Sequence, residues 1–312
     1  MKTEAGNAGK ARRGGQKHVG GSQRTYHLMM APGMLFLLIF SYIPMAGILM
    51  AFQDYKPSKG LFGSPFVGLE HFRYMAELPD IAQVIGNTLT IALGKILLGT
   101  LMAIAFSIML NEIRLKRMKR WVQTIVYLPH FLSWVVLASV VVNLFNLDGS
   151  VNQLLVSLGL ERINFLGSNR WFQPLIIGTD VWKEFGYNSV VYLAAITSID
   201  PGLHEAAAMD GATWWKRVIH ITLPGMMPII LLMAAMNLTS ILSAGFDQIY
   251  NLYTPLVYQS GDILDTYVYR IGLIGRQYSF ATAVGLFKSV IGLVLMCGAN
   301  EAAKRFADRK IF

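Results

Sequence analysis

Residues 205–224 read EAAAMDGATWWKRVIHITLP, from Glu205 to Pro224. The stretch is short and polar, with charges of both signs, and long apolar runs lie on either side of it. Asp200-Pro201 comes just before it. Proline fits the first turn of a helix, and aspartate caps one. Glu205-Ala206-Ala207-Ala208-Met209 then reads as a short helix. Gly211 allows a turn that a side chain would obstruct. Thr213 to Ile219 reads as a second short helix that stops before Leu223-Pro224. The expected result is a helix–turn–helix elbow at a membrane surface. Its three alanines leave room for another protein to approach closely. A plain amphipathic anchor lying on the bilayer is the other reading of the same residues.

The rest of the chain makes the elbow an island. Of 312 residues, 54% are hydrophobic and 14% charged, and the mean hydropathy is +0.46. Soluble domains carry about 25% charged residues, so the composition is that of a membrane protein. A span needs about 20 mostly apolar residues. Six segments qualify: Leu28–Phe52, Val84–Leu110, Trp121–Phe145, Phe172–Ile199, Met226–Ala244 and Ala281–Ala299. They are too long and lack the alternation of β-barrel strands. Most Lys and Arg fall in the N-terminal tail, in Arg114–Arg120, at Lys216-Arg217 and in the C-terminal tail, whereas the alternate connections hold few. The positive-inside rule then places both termini in the cytoplasm. The expected organisation is a disordered basic tail (1–27), a six-span membrane domain (28–303) containing the loop 200–224, and a cytoplasmic C-tail (304–312).

The same inventory narrows the chemistry. The net charge of +9 is explained by membrane orientation, so no nucleic-acid partner is expected. A lone cysteine, Cys297, supports neither a disulfide framework nor a cysteine zinc cage. His71, His130, His204 and His220 lack metal-ligand spacing, so no metal is expected. The chain contains no Walker P-loop, so no nucleotide site of its own is expected. Lys95, Asp180, Lys183, Glu184 and Lys288 fall inside apolar segments. A charge at mid-bilayer costs about 2.5–3.5 kcal/mol, so such residues face protein or water. Asp180 and Lys183, three apart on a helix, are placed to pair. These charges read either as a polar path or as pairs that fix helix packing.

The spacing Glu205-Ala206-Ala207, Gly211, Ile221, Leu223-Pro224 resembles the EAA loop of binding-protein-dependent ABC importer permeases. Its place between the fourth and fifth of six expected spans is also that family's. The resemblance covers roughly residues 25 to 310. It implies an all-α integral membrane protein with the six-helix type I importer architecture, in a bacterial inner or plasma membrane. It implies that Glu205, Ala206, Ala207, Asp210, Gly211, Leu223 and Pro224 couple the chain to a separate ATPase pair. ATP and Mg then belong to that partner, and this chain is not an enzyme. Asp180 to Gly186, Ile199-Asp200-Pro201, Gly245 to Gln248 and Asp265 to Arg270 are similar to the oligosaccharide branch. That branch implies a second related permease and an extracytoplasmic sugar-binding protein. Sugars are held by ring faces and by buried polar groups. Trp182, Lys183, Tyr187, Asn188 and Tyr192 in the fourth span, with Asn237, Phe246, Asp247 and Tyr250 in and after the fifth, are therefore candidate cargo contacts. Aromatic residues also populate membrane interfaces, and both readings of them stand.

Overall fold

A computed structural model of the chain describes residues 19–239 and 241–307. The described residues are helical, with one isolated antiparallel bridge, Gln53 to Phe66. The chain forms two compact units, the first ending at Leu49 and the second beginning at Met50. The first holds helix α1 (Val19–Leu37), a π-turn (Leu38–Tyr42) and most of a 3₁₀ stretch (Ile43–Phe52). Helix α1 begins inside the tail expected to be disordered, whose residues 1–18 lie outside the described residues.

The second unit contains α2 (Pro79–Glu112), α3 (Lys116–Tyr127), α4 (Trp134–Phe145), α5 (Asn169–Thr197), α6 (Pro201–Met209), α7 (Leu223–Thr239), α8 (Phe246–Leu252), α9 (Leu264–Tyr269) and α10 (Tyr278–Ala307), together with other short helices and turns. By length and composition five segments among the described residues can cross a membrane: Thr25–Phe52, Pro79–Glu112, Trp134–Ser157, Trp214–Leu238 and Tyr278–Gly298. Helix α5 has 29 residues, long enough to cross, and is set apart by Asp180, Lys183 and Glu184.

Two expected spans are not continuous helices. The third was expected over Trp121–Phe145. Instead α3 ends at Tyr127, a 3₁₀ turn runs over Leu128–Phe131, and α4 starts after Ser133. Pro129 causes the break, because it offers no N–H and disfavours helical backbone before it. Ser133 then caps α4 by accepting a hydrogen bond from the Val136 N–H at 3.4 Å. The fifth was expected over Met226–Ala244. Helix α7 ends at Thr239, and α8 starts after Gly245, whose φ of +97° is a left-handed conformation. Helix α10 extends beyond the expected sixth span into the expected C-tail, of which residues 308–312 lie outside the described residues.

Helices α2 and α5 pack along much of their lengths. Between helices in lipid the hydrophobic effect is absent, and close packing across small residues takes over. Gly94 of α2 is such a point, since a Cβ there would come 2.5 Å from Ile177 Cδ1. Gly186 of α5 is another, because a Cβ would press on the Val126 carbonyl oxygen and lie 2.6 Å from Val126 Cγ1. One apolar cluster, including Ile91, Phe172, Ile176, Ile249 and Leu264, surrounds the N-terminal half of α5. A second, including Ala103, Tyr192, Ile196, Val218 and Met226, joins its C-terminal half to the elbow. Replacing Gly186 by leucine forces α3 away from α5, an overpacking cost of about 1–3 kcal/mol. Thermal unfolding of the detergent-purified protein should show a lowered midpoint. Gly178→Leu, on the same helix with open space around it, should leave the midpoint nearly unchanged.

Candidate functional site: an exposed elbow beneath an intramembrane polar layer

The elbow forms as its sequence predicts. Asp200 caps α6 by accepting from the Gly202 N–H at 2.9 Å, and Pro201 opens the helix. The helix closes with Gly211 N–H donating to Ala208 O (3.1 Å) and Ala212 N–H to Ala207 O (2.9 Å). Gly211 adopts φ +76° with nothing within 4 Å of a would-be Cβ. Its glycine is needed for the backbone turn and leaves open space above it.

Glu205, Ala206, Asp210, Gly211 and Pro224 are exposed, and Ala207 and Leu223 are half-buried. Met209 is 89% exposed, and Leu203 and Trp215 stand out beside it. The second arm differs from expectation. Only Trp214–Arg217 is an α-turn, and a π-turn over Val218–Thr222 leads without interruption into α7. Pro224 cannot donate to the preceding turn, and the widened turn accommodates it. The elbow therefore continues directly into α7. Gly225 lies tightly against Ile199 at the end of α5, where a Cβ would be 2.6 Å from Ile199 Cδ1.

Near the midpoint of α2, Lys95 reaches across to α5. Its Nζ lies 3.1 Å from Asp180 Oδ1, donates to the Ala244 carbonyl at 2.7 Å and donates to Gln248 Oε1. Gln248 is fully buried, and its Nε2 donates to Ile176 O (2.7 Å) and Thr179 Oγ1 (2.9 Å) of α5. Near the midpoint of α5, Lys183 is 6% exposed and donates to the His130 carbonyl at 3.0 Å. It also pairs with Glu184 Oε1 at 2.6 Å. Glu184 Oε2 lies 2.7 Å from His130 Nδ1, and the His130 ring stacks flat on Tyr187 at 3.9 Å. Each lysine thus has a carboxylate partner and also bonds a carbonyl at one of the two helix breaks. The expected Asp180–Lys183 pair is not the one formed. The facing helix brings Lys95 to Asp180, and Lys183 turns to Glu184 and His130.

A cavity of about 160 Å³ beside this layer is lined by Lys95, Thr100, Asp180, Glu184, Asn188, Tyr192 and Asn237, among others. A second, of about 180 Å³, shares Lys95, Asp180 and Asn237 and reaches Ser243, Ala244 and Gly245. Of the cargo candidates, Asn188, Tyr192 and Asn237 come together here. Lys183 and Tyr187 belong to the His130 network. Phe246 and Asp247 begin α8, beyond Gly245. Trp182 is elsewhere, in an apolar cavity of about 430 Å³ with Phe165 and Trp171. The sequence marked Lys95 as an intramembrane charge without its partner, and sequence reasoning missed His130 and Gln248 as parts of this layer. It also missed the register of Asp180, Glu184, Asn188 and Tyr192, which recur every four residues and share one face of α5.

Beyond α8, Asp262 is buried, paired with Arg270 and accepting from Thr266 Oγ1 at 2.7 Å. Burial pushes its carboxyl up from the usual range, against the pull of Thr266 and Arg270. Among the described residues no group of three His, Cys, Asp or Glu is placed to hold a metal ion.

Residues 95–306 match the family described as "Binding-protein-dependent transport system inner membrane component". The chain belongs to this family. This permease is 41% identical over 291 residues to the polygalacturonan/rhamnogalacturonan transport system permease protein YteP of Bacillus subtilis, covering 93% of this chain and 91% of that one. It is 40% identical to the protein LplB of the same organism, covering 92% and 90%. Its fold matches a chain of a bacterial ABC transporter involved in the import of the acidic polysaccharide alginate, with a TM-score of 0.85 and 40% identity. That match covers 92% of this chain and 97% of the other. The fold matches equally, with a TM-score of 0.85 and 40% identity over 93% of this chain and 97% of the other, a chain of a bacterial alginate ABC transporter in complex with an alginate pentasaccharide-bound periplasmic protein. The permease is thus a transport component with the all-helical architecture of an ABC importer subunit.

Removing one member of a buried ion pair costs about 3–5 kcal/mol, because the other is left uncompensated. Lys95→Met also leaves the Ala244 carbonyl without its lysine. It should lower the thermal midpoint of the purified permease more than Asp180→Leu does. In the double variant the loss should be smaller than the sum of the two single losses.

Proposed function

We propose that this chain is the membrane-spanning permease subunit of an ABC importer for a carbohydrate, an oligosaccharide or polysaccharide fragment. In this reading six helices cross the membrane, α5 being the one that composition alone excludes, and both termini are cytoplasmic. A second, related permease completes the pathway. An extracytoplasmic binding protein delivers the sugar, and a pair of cytoplasmic ATPase subunits hydrolyses ATP with Mg. The observation that carries the reading is the elbow. It exposes Glu205, Ala206, Asp210 and Gly211, turns at Gly211 with φ +76°, and continues directly into α7. The polygalacturonan/rhamnogalacturonan permease and the alginate importer, each similar over nine-tenths of this chain, support the cargo class.

The mechanism follows from how the elbow is attached. A push on α6 passes through Gly225 and Ile199 to the ends of α7 and α5. Those two helices carry Asn237 and the Asp180–Tyr192 face, so the cavity changes shape when the elbow moves. Asn188, Tyr192 and Asn237 supply hydroxyl and amide groups that can exchange hydrogen bonds with sugar hydroxyls.

The test is uptake into proteoliposomes holding the two permeases and the ATPase pair, with the sugar-loaded binding protein outside. Uptake should require ATP inside the cytoplasmic compartment and should persist when the proton gradient is collapsed. Gly211→Trp and Glu205→Lys should each abolish uptake while the chain still inserts in the membrane. Uptake driven by a proton gradient without ATP, or normal uptake by both variants, would contradict the reading.

A further inference from the structure

We propose that the start of α3 binds the headgroup of an anionic phospholipid, whose acyl chains lie along the same helix. The site is independent of the cargo. Arg114, Lys116, Arg117, Lys119 and Arg120 crowd together here, and all but the half-buried Lys119 are exposed. No Asp or Glu occurs between Glu112 and Asp148. Among the described residues none of the five cations is in an ion pair. The positive-inside rule accounts for cations on this side of the membrane. It does not account for four of them at the beginning of a helix. A helix N-terminus carries about half a positive charge and favours an acid. Helix α3 opens with Lys116, Arg117, Lys119 and Arg120 instead, with no acid in its first turn and no side-chain cap from Leu115. Cations and first-turn N–H groups thus converge where the chain supplies no anion, and a phosphate satisfies both.

The other faces of α3 say which phosphate. Met118, Trp121 and Ile125 recur at helical spacing and form one exposed apolar stripe, with Trp121 69% exposed. Arg117, Arg120 and Thr124 form an exposed stripe beside it. The third face, with Val122, Gln123 and Val126, is half-buried against the protein, and the Val126 carbonyl meets Gly186 of α5. Further along, His130 meets Glu184, so α3 runs antiparallel to α5. From Val126 back to Lys116 is ten residues, and from Gly186 on to Thr197 is eleven, rises of about 15 and 16 Å. Lys116 is therefore level with the end of α5, where the elbow begins. The cations lie at headgroup depth, and Trp121 and Ile125 descend from there toward hydrocarbon. A soluble phosphate would leave the apolar stripe bare. A phospholipid covers both stripes, and tryptophan belongs at the boundary between its two parts.

Position gives the lipid a consequence. Helix α3 leads straight into the 3₁₀ turn that carries His130. The His130 carbonyl accepts from Lys183 at 3.0 Å, and its ring meets Glu184. A headgroup that neutralises the cations removes their mutual repulsion and steadies α3 against α5, and with it this part of the polar layer. Occupancy therefore raises the stability of the folded chain.

The experiment uses the full chain, purified in mild detergent with the subunits that accompany it. It is titrated with phosphatidylglycerol, phosphatidylcholine or soluble glycerol phosphate, and read by native mass spectrometry and by the thermal midpoint. Phosphatidylglycerol should bind more tightly than phosphatidylcholine and raise the midpoint, and added salt should narrow the difference. The double variant Arg117→Gln/Arg120→Gln should bind phosphatidylglycerol roughly thirtyfold more weakly, with an unchanged midpoint before lipid is added. Arg117→Lys/Arg120→Lys and the control Arg162→Gln, an exposed cation paired with Asp148, should keep most of the affinity. Equal binding of the two lipids by the wild type, at any salt concentration, would overturn the site without recourse to a variant. So would an unchanged affinity in the glutamine variant. The same gain in midpoint from glycerol phosphate would make it a site for a free anion. Loss of an accompanying subunit from the glutamine variant would make the cations part of a protein interface, and either result contradicts a lipid.

Discussion

Two helices of this permease break at the level where neighbouring helices have their midpoints, and a membrane interior provides no water to satisfy the carbonyls so exposed. Lys95 and Lys183 meet that constraint. Each bonds a carbonyl at a break, Ala244 in one case and His130 in the other. Each is itself a buried charge and needs a carboxylate, which Asp180 and Glu184 provide from α5. A break without its lysine, or a lysine without its carboxylate, would be too costly to keep inside a bilayer. The arrangement therefore stands or falls as a unit, and it ties α2, α5 and the two interrupted segments to one layer.

That layer has two structural aspects. The lysine–carboxylate pairs fix helix packing, and the same groups form part of the wall of a polar cavity. In transporters, interrupted helices near the bilayer midplane are where substrate sites are built, because unwound backbone is tolerated there. Here the interruption of the α7–α8 segment leaves Gly245 in a left-handed turn between the cavity and the aromatic residues of α8. The elbow at the other end of α7 is anchored by Val218, Thr222 and Met226, all buried. In the proposed mechanism, movement of the elbow would act on the cavity through the body of a helix.

Much of this was legible in the sequence, and the remainder was hidden for specific reasons. The elbow could be read because its turn needs a positive φ, and Gly211 sits where only glycine adopts one cheaply. Asp200 and Pro201 marked the start of α6 by the same kind of local chemistry. The apolar segments were visible by length and composition. Their interruptions were not, since hydropathy is unaffected by a lost backbone hydrogen bond, although Pro129 and Gly245 stood at both sites. The pairing of Lys95 with Asp180 depends on how α2 packs on α5, and nothing local to either residue encodes that. The separation of Trp182 from the polar cavity was visible in the sequence. It lies two residues from Asp180 and from Glu184, off the face they share with Asn188 and Tyr192.

The central claim is that this chain is one part of an importer whose motor docks on the exposed elbow. Co-purification of the tagged chain from its native membrane in mild detergent tests it most directly. The account predicts that an ATPase subunit and a second permease come down with it. It also predicts that Gly211→Trp releases the ATPase while keeping the permease pair. Recovery of this chain alone from intact membranes, with no ATPase bound to either form, would contradict it.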